Sequence, residues 1–320
     1  MELLPSADQL ELQAAVRDLC RRGFDSTAVR ALEATGGLTP QSWAALADIG
    51  IFALRVPETA GGLGLGMPEA ALVFEELGRA AVPGPVIASQ LAAPLVEGAA
   101  QGQAVVGLVE RGEGPVLVEH LEHLDVLVVL DDDGVHAVRP AELDAAPVPH
   151  PLDTWTPLHR VAALPRGAQL ADAAAAARCR LEGAVLTAAL QVGSAQATLD
   201  LSVRYALARQ QFGRAIGQFQ AVKHLLADML VRLELARSAV WSAAVILDDP
   251  EVGEPRRAAA TAKIVADEAA VGNARSAVQV HGGMGFTWDV DVHLHLKRAW
   301  VRETHFGSAS EHAEMLADLL

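Results

Sequence analysis

Four helical patterns fill the chain from residue 172 almost to its end, and they restrict its folding more than any other feature. Residues 172–209, 218–248, 255–280 and 290–318 carry apolar side chains at spacings of three and four, and each run exceeds the ordinary helix length. Asp248, Asp249 and Pro250 break the second run from the third, and Gly282, Gly283 and Gly285 break the third from the fourth. Four long amphipathic segments with short links bury their apolar faces most economically against one another, which predicts a four-helix bundle. The alanine run after Asp172 is a strong helix former rather than a low-complexity linker.

The first link, RYALARQQFGRAIGQFQAVK at residues 204–223, is the most informative stretch. Leu199, Val203, Ala206 and Leu207 continue the helical spacing until Gly213 and Gly217 interrupt it, so Arg204, Arg209 and Arg214 crowd a turn beside Gln210, Gln211 and Phe212. Guanidinium forks bind phosphate oxygens bidentately, and an aromatic side chain beside them can pack on a ring system, so the composition suits a flat anionic ligand. On spacing alone, a solvated helix hairpin with charged residues at its ends is the more economical reading, since such residues usually face water.

The stretch closely resembles a motif of the acyl-CoA dehydrogenase family, Y-A-x-x-R-x-x-F-G-x-x-I-x-x-F-Q, which opens that family's C-terminal helical domain. Here it reads Tyr205, Ala206, Arg209, Phe212, Gly213, Ile216, Phe219 and Gln220. The resemblance implies that Arg209, Gln211, Phe212 and Gln220 are lent to the FAD of a neighbouring subunit. A second stretch, QVHGGMGF, resembles the segment that contacts the adenosine pyrophosphate of FAD across a subunit interface, which implies the same role for Gln279, His281, Gly282 and Gly283. Read from residues alone, these glycines end a helix and leave backbone N–H groups open to close approach.

Upstream, residues 7–35 alternate apolar and charged positions at helical period, and Thr39 and Pro40 predict a capped helix over QSWAALAD that Gly50 ends. The stretch AGGLGLGMPEAALVFEELGR offers glycines but no G-x-G-x-x-G: from Gly62 the last position is Met67, and from Gly64 it is Glu69. A turn feeding a helix near Pro68 is expected instead, and its wording, including Glu75 to Arg79, is similar to the family's N-terminal domain. Residues 103–170 hold short β-rich runs, AVVGLVE, GPVLVEHL, DVLVVL and GVHAVRP, separated by turn residues. The segment LDTWTPLHRVAAL resembles the strand that closes the family's middle domain, but a flavin-binding loop of the form T-E-x-x-x-G-S has no counterpart. The expected fold is therefore mainly α with a small β domain: an N-terminal helical domain at 1–102, a reduced β domain at 103–170 and the four-helix bundle at 171–320.

Composition narrows the function classes. A net charge of −15 without a basic run argues against nucleic acid. Cys20 and Cys179 lack metal-type spacing, and no apolar run reaches membrane-spanning length, so a reduced, cytoplasmic protein without a membrane span is expected. His293 and His295 lie two apart on a predicted helix and face different ways, His281 has no evident partner, and no metal site is expected. No G-x-S-x-G elbow supports a serine hydrolase.

The family's chemistry needs a carboxylate in an apolar pocket to take the α-proton of an acyl-CoA while the β-carbon passes hydride to flavin. Phe306 stands at the family's usual position for that base, before Gly307 and Ser308, and Gly183 stands at the position used by a second branch. Glu182 and Glu303 are the candidates that remain. Three readings follow: a partner subunit, non-catalytic or contributing half a site in a hetero-oligomer such as α2β2 with a homologous acyl-CoA dehydrogenase; a self-sufficient enzyme using Glu182 or Glu303; and a helical binding module without flavin.

Overall fold

A computed structural model describes residues 4–319. In chain order the helices are α1 (Ala7–Gly23), α2 (Ser26–Ala31), α3 (Pro40–Asp48), α4 (Met67–Arg79), α5 (Val86–Ala92), α6 (Ala173–Ala208), α7 (Gln220–Asp248), α8 (Pro255–His281), α9 (Val292–Arg302) and α10 (Ala309–Asp318). Contacts group the chain into two compact units. The first joins the residues up to Arg22, Ala71–Val82 and everything from Ala184 onward; the second joins Gly23–Ala70 and Pro83–Gly183.

In the second unit, a helical N-terminal part precedes two small sheets. Helix α3 begins as expected, with Thr39 and Ser42 forming a capping box and Pro40 in the first turn, and Gly50 follows at φ +78°. The helical pattern over residues 7–35 is carried by two helices, the first ending at Gly23. Asp25 turns its side chain to the Ala28 N–H at 2.8 Å and starts a new helix, a cap that competes with helix continuation. Strands β1 (Val106–Glu110), β2 (Val116–Glu119), β3 (Val126–Leu130), β4 (Gly134–Val138), β5 (Ala145–Pro147), β6 (Leu158–Val161) and β7 (Ala168–Asp172) follow. One sheet has the order β1-β3-β4-β7, with β1 and β3 parallel and the other pairs antiparallel, and the second has the order β2-β6-β5. Val109, Val118, Leu127, Val129, Val138 and Val161, drawn from both sheets, form one buried core. The LDTWTPLHRVAAL segment contains β6, the central strand of the second sheet.

The first unit is helical apart from a two-stranded ribbon, β8 (Gln210–Gln211) and β9 (Arg214–Ala215). Helix α8 buries Ala259, Ala260, Ala262, Ala266, Ala269, Ala270, Ala274 and Ala277, and such small side chains let neighbouring helices pack closely. Asn273 ties three of the helices, donating to the Met229 carbonyl of α7 at 2.9 Å and the Ala195 carbonyl of α6 at 3.3 Å. The four expected helical runs are present, but the last is two helices: the chain leaves helical geometry after Arg302, and Ser308 caps α10 with Glu311. Helices α4 and α6 cross at glycines. A Cβ on Gly78 would lie 2.1 Å from the Leu190 carbonyl oxygen, and one on Gly193 would lie 1.9 Å from that of Glu75.

Candidate active site

The link after α6 folds as a tight hairpin. Arg209 donates its N–H to the Tyr205 carbonyl at 2.8 Å, then accepts from the Ile216 N–H at 2.8 Å, and Gln210 and Gln211 pair with Ala215 and Arg214. Phe212 and Gly213, the two central residues, have φ +54° and +78°. Positive φ at both positions is what a type I′ hairpin turn requires, and it costs the phenylalanine backbone strain that glycine escapes. The consequence is a ring presented to solvent, 90% exposed, steadied by an edge contact with Phe219 at 6.0 Å. The Arg214 guanidinium lies over the other aromatic partner, 4.2 Å from the Phe219 centroid. Arg209, Gln211 and Gln220 are also exposed.

Tyr205 links this hairpin to the second stretch. Its ring stacks on His281 with centroids 4.2 Å apart, and His281 in turn holds the Ala277 carbonyl through Nδ1 at 2.8 Å. The partner that the sequence left unassigned to His281 is thus the motif tyrosine. Burial lowers the His281 proton affinity, which favours the neutral imidazole in the stack. Gly282 follows at φ +60°, and neither it nor Gly283 has any heavy atom within 4 Å of where a Cβ would sit. Gln279, Gly282 and Gly283 are exposed while His281 is buried, so the polar and backbone groups face outward and the imidazole acts as the underpinning. The structure therefore brings together two stretches far apart in sequence through one ring stack.

The carboxylate candidates lie in contrasting surroundings. Glu182 is buried and clasped: Arg55 Nη1 is 2.7 Å from its Oε2, Arg55 Nη2 is 2.7 Å from its Oε1, and Arg178 Nε reaches Oε1 at 2.6 Å. A carboxylate with both oxygens held by guanidinium forks is committed to binding them. Glu303 is half-buried just past α9, and its proton affinity is raised, first by burial and then by the Asp267 charge, while Lys263 and Arg275 oppose the rise. Phe306 and Gly307, in the same turn, have φ +53° and +96°.

Sequence reading missed several groups. The glutamates of the E-E-L-G-R wording are ion-paired, Glu75 with Arg237 at 2.9 Å and Glu76 with Arg17 at 2.7 Å, and Arg79 holds Asp200 at 2.5 Å. Their partners lie elsewhere in the chain, which no local pattern reveals. Asp131, Asp133 and His136 place ligand atoms within 4.8 Å of one another, a grouping the sequence reading also overlooked. Arg111 pairs with Asp131, Arg166 with Asp133 at 2.6 Å, and His136 with Asp133 at 2.7 Å, so these carboxylates already have cationic or hydrogen-bonding neighbours. The two cysteines are free and buried, and burial pushes Cys20 up to about 12 and Cys179 up to about 11.

Known families match both ends of the chain. The acyl-CoA dehydrogenase N-terminal domain matches residues 6–104 and the acyl-CoA dehydrogenase C-terminal domain residues 174–320. Acyl-CoA dehydrogenase IpdE2 of Mycobacterium tuberculosis is 35% identical over 309 residues, which covers 93% of this chain and 92% of its own. This chain belongs to the acyl-CoA dehydrogenase family. A second relative, acyl-CoA dehydrogenase FadE34 of the same organism, is 33% identical over 90% of this chain and 45% of its own length. The Tcur3481-Tcur3483 steroid ACAD has the same fold, with a TM-score of 0.85 at 24% identity, covering 98% of this chain and 97% of that one. The ChsE4-ChsE5 complex of Mycobacterium tuberculosis superposes with a TM-score of 0.85 at 22% identity, covering 99% and 98%. FAD is the cofactor of the acyl-CoA dehydrogenase family. The exposed guanidinium of Arg209, the amides of Gln211, Gln220 and Gln279 and the open backbone at Gly282 and Gly283 suit its phosphates, sugars and ring edges. Among the described residues no helix is long and apolar enough to cross a membrane.

Proposed function

We propose that this chain is a partner subunit of a hetero-oligomeric, cytoplasmic acyl-CoA dehydrogenase, contributing half of an FAD site to a homologous subunit. One observation carries the reading: the residues suited to FAD form a preorganised, outward-facing surface, with Phe212 held in a strained turn and almost wholly exposed. A hairpin that spends backbone strain to present a ring to solvent is built for a neighbour. Exposed Leu207, Leu230, Val231, Leu235, Met284, Phe286 and Trp288 belong to the same unit and supply the apolar surface such a neighbour would cover. Support also comes from the heteromeric ChsE4-ChsE5 assembly sharing the fold. An α2β2 arrangement would place each borrowed surface on a cofactor by two-fold pairing.

FAD, when bound, would accept the hydride from the β-carbon of the acyl-CoA. The work of this chain would then be to bind the phosphates through Arg209, orient the cofactor through Gln211, Gln220 and Gln279, and keep water out with Phe212. A second reading, in which the chain also supplies the base, is favoured by one feature. Glu303 is half-buried, and burial and the Asp267 charge raise its proton affinity in the direction a proton acceptor needs, whereas Glu182 is doubly held by arginines.

Expressing the chain alone and with a full-length homologue, then measuring FAD per chain and flavin bleaching on acyl-CoA addition, tests these readings. The paired chains should retain flavin at fewer than one per chain and bleach. A homo-oligomer carrying one FAD per subunit that acyl-CoA bleaches, with bleaching abolished by Glu303→Gln or Glu182→Gln, would replace the partner reading with the self-sufficient one.

A further inference from the structure

Lys263 sits on the alanine face of α8 with its side chain fully buried. An ammonium taken out of water must be paired and fully hydrogen-bonded. Its Nζ lies 2.5 Å from Asp267 Oδ2, and it also donates to the carbonyl oxygens of Glu303 and Gly307, each at 3.2 Å. Gln191 Nε2 donates to the other Asp267 oxygen at 3.1 Å and to the Ala299 carbonyl at 3.0 Å. From α10, His312 Nε2 is 2.9 Å from the Phe306 carbonyl. Carbonyls at Ala299, Glu303, Phe306 and Gly307 are thus all gripped from the buried side.

The end of a helix leaves carbonyls without intrahelical donors, and a cation there also meets the negative end of the helix dipole. Here that general need is met by side chains of three other helices, across a turn with two positive-φ residues. Gly307 leaves room where a Cβ would lie 2.9 Å from His312 Nε2. We propose that Lys263 is a positioning residue, holding the turn from Glu303 to Gly307 so that the Glu303 carboxylate has one direction and one charged neighbourhood. The proposal rests on the reading of Glu303 as proton acceptor, and its test separates the two.

The neighbourhood has a definite sign pattern. Asp267 pushes the Glu303 proton affinity up; Lys263 and Arg275, also on α8, pull it down. His312 faces Lys263 and Asp267 from α10 and is held toward its neutral form by burial and then by Lys263. Arg302 and His305 flank Glu303 on its own stretch. Removing Lys263 alone should therefore raise the Glu303 midpoint, removing Asp267 alone should lower it, and removing both should leave it near its starting value.

The experiment follows the Glu303 side-chain carboxyl by carbon-13 NMR against pH in the assembled, glutamate-labelled protein, with Glu303→Gln assigning the resonance. Lys263→Met and Asp267→Asn should displace the midpoint in opposite directions by on the order of one pH unit. Because Lys263→Met strands a buried carboxylate, Asp267→Asn supplies the comparison if that variant does not fold, and the double variant, which removes both charges, checks that the midpoint returns to the wild-type value. Midpoints identical in the wild type and every folded single variant would overturn the proposal, since a lysine that does not set the surroundings of Glu303 leaves its titration where it was. Flavin bleaching by acyl-CoA in the complex with the homologue then judges the other reading. An acid limb that tracks the carboxyl midpoint supports Glu303 as base. If the limb stays fixed while the midpoint moves, the base reading fails and the role of Lys263 stands.

Discussion

His295 illustrates how one enclosed side chain sets a pH response. Its Nδ1 is 2.9 Å from Ser194 Oγ, and burial is the main reason its proton affinity falls to about 4, with Asp291 opposing and Arg298 and Arg302 reinforcing. The folded state binds fewer protons here than the unfolded state, so stability is present above the unfolded value near about 6.5 and is lost as pH falls toward 4. His281 and His312 shift the same way. Asp267 and Glu75, raised first by burial, have the opposite sign: their contribution is present below the unfolded carboxylate range and lost as pH rises through the folded value. The difference between wild type and His295→Gln isolates the histidine. Between pH 7.5 and 4.5, at fixed protein concentration, wild type should lose about 2–3 kcal/mol of unfolding free energy relative to the variant. A pH-independent difference in urea would remove His295 from this account. At the same scale, Arg209→Ala should remove a charge-assisted phosphate contact of about 1.5–3 kcal/mol and lower flavin retention at least about tenfold. Unchanged flavin content in the purified complex would count against the assignment.

Among the elements, the α4–α6 crossing and the β8–β9 hairpin respond to substitution for different reasons. At the crossing, Gly78 and Gly193 each face backbone of the other helix at about van der Waals overlap, so a methyl group has nowhere to go. Gly193→Ala should destabilise the chain by about 2–3 kcal/mol or more in urea unfolding, and a loss below about 0.5 kcal/mol would show that the helices separate easily. The hairpin meets no such clash, since nothing lies within 4 Å of a Cβ on Gly213. Its cost is conformational. Asparagine tolerates positive φ better than phenylalanine, so Phe212→Asn should stabilise the isolated chain by a few tenths to about 1 kcal/mol. The same change should weaken flavin retention in the complex. Equal flavin retention by the variant and wild type would deny the exposed ring a function.

For the whole molecule, the expectation is assembly. The exposed apolar side chains of the C-terminal helices and the outward-facing FAD-suited groups lie in one compact unit, and light scattering of the purified protein with its homologue should give an oligomer. A stable monomer carrying its full share of FAD would sink the partner-subunit reading.

Periodicity by itself specified the long helices, because apolar spacing of 3.6 records which face must leave water, and the ends of α6, α7 and α8 fall within two residues of the expected breaks. Cap and turn chemistry likewise marked α3, and short β-branched runs marked the strands of the small sheets. Local wording marked Arg209, Phe212 and the glycines after His281, because a hairpin turn and a helix end are each set by residues close in sequence. Only the tertiary structure joined the two stretches through Tyr205 and His281, clasped Glu182 between Arg55 and Arg178, and buried Lys263 beneath the turn that contains Glu303. Charge alone does not tell a solvated lysine from one enclosed beside an aspartate. Which of the two occurs depends on desolvation and on partners supplied by distant helices, and those are set by packing rather than by any local pattern.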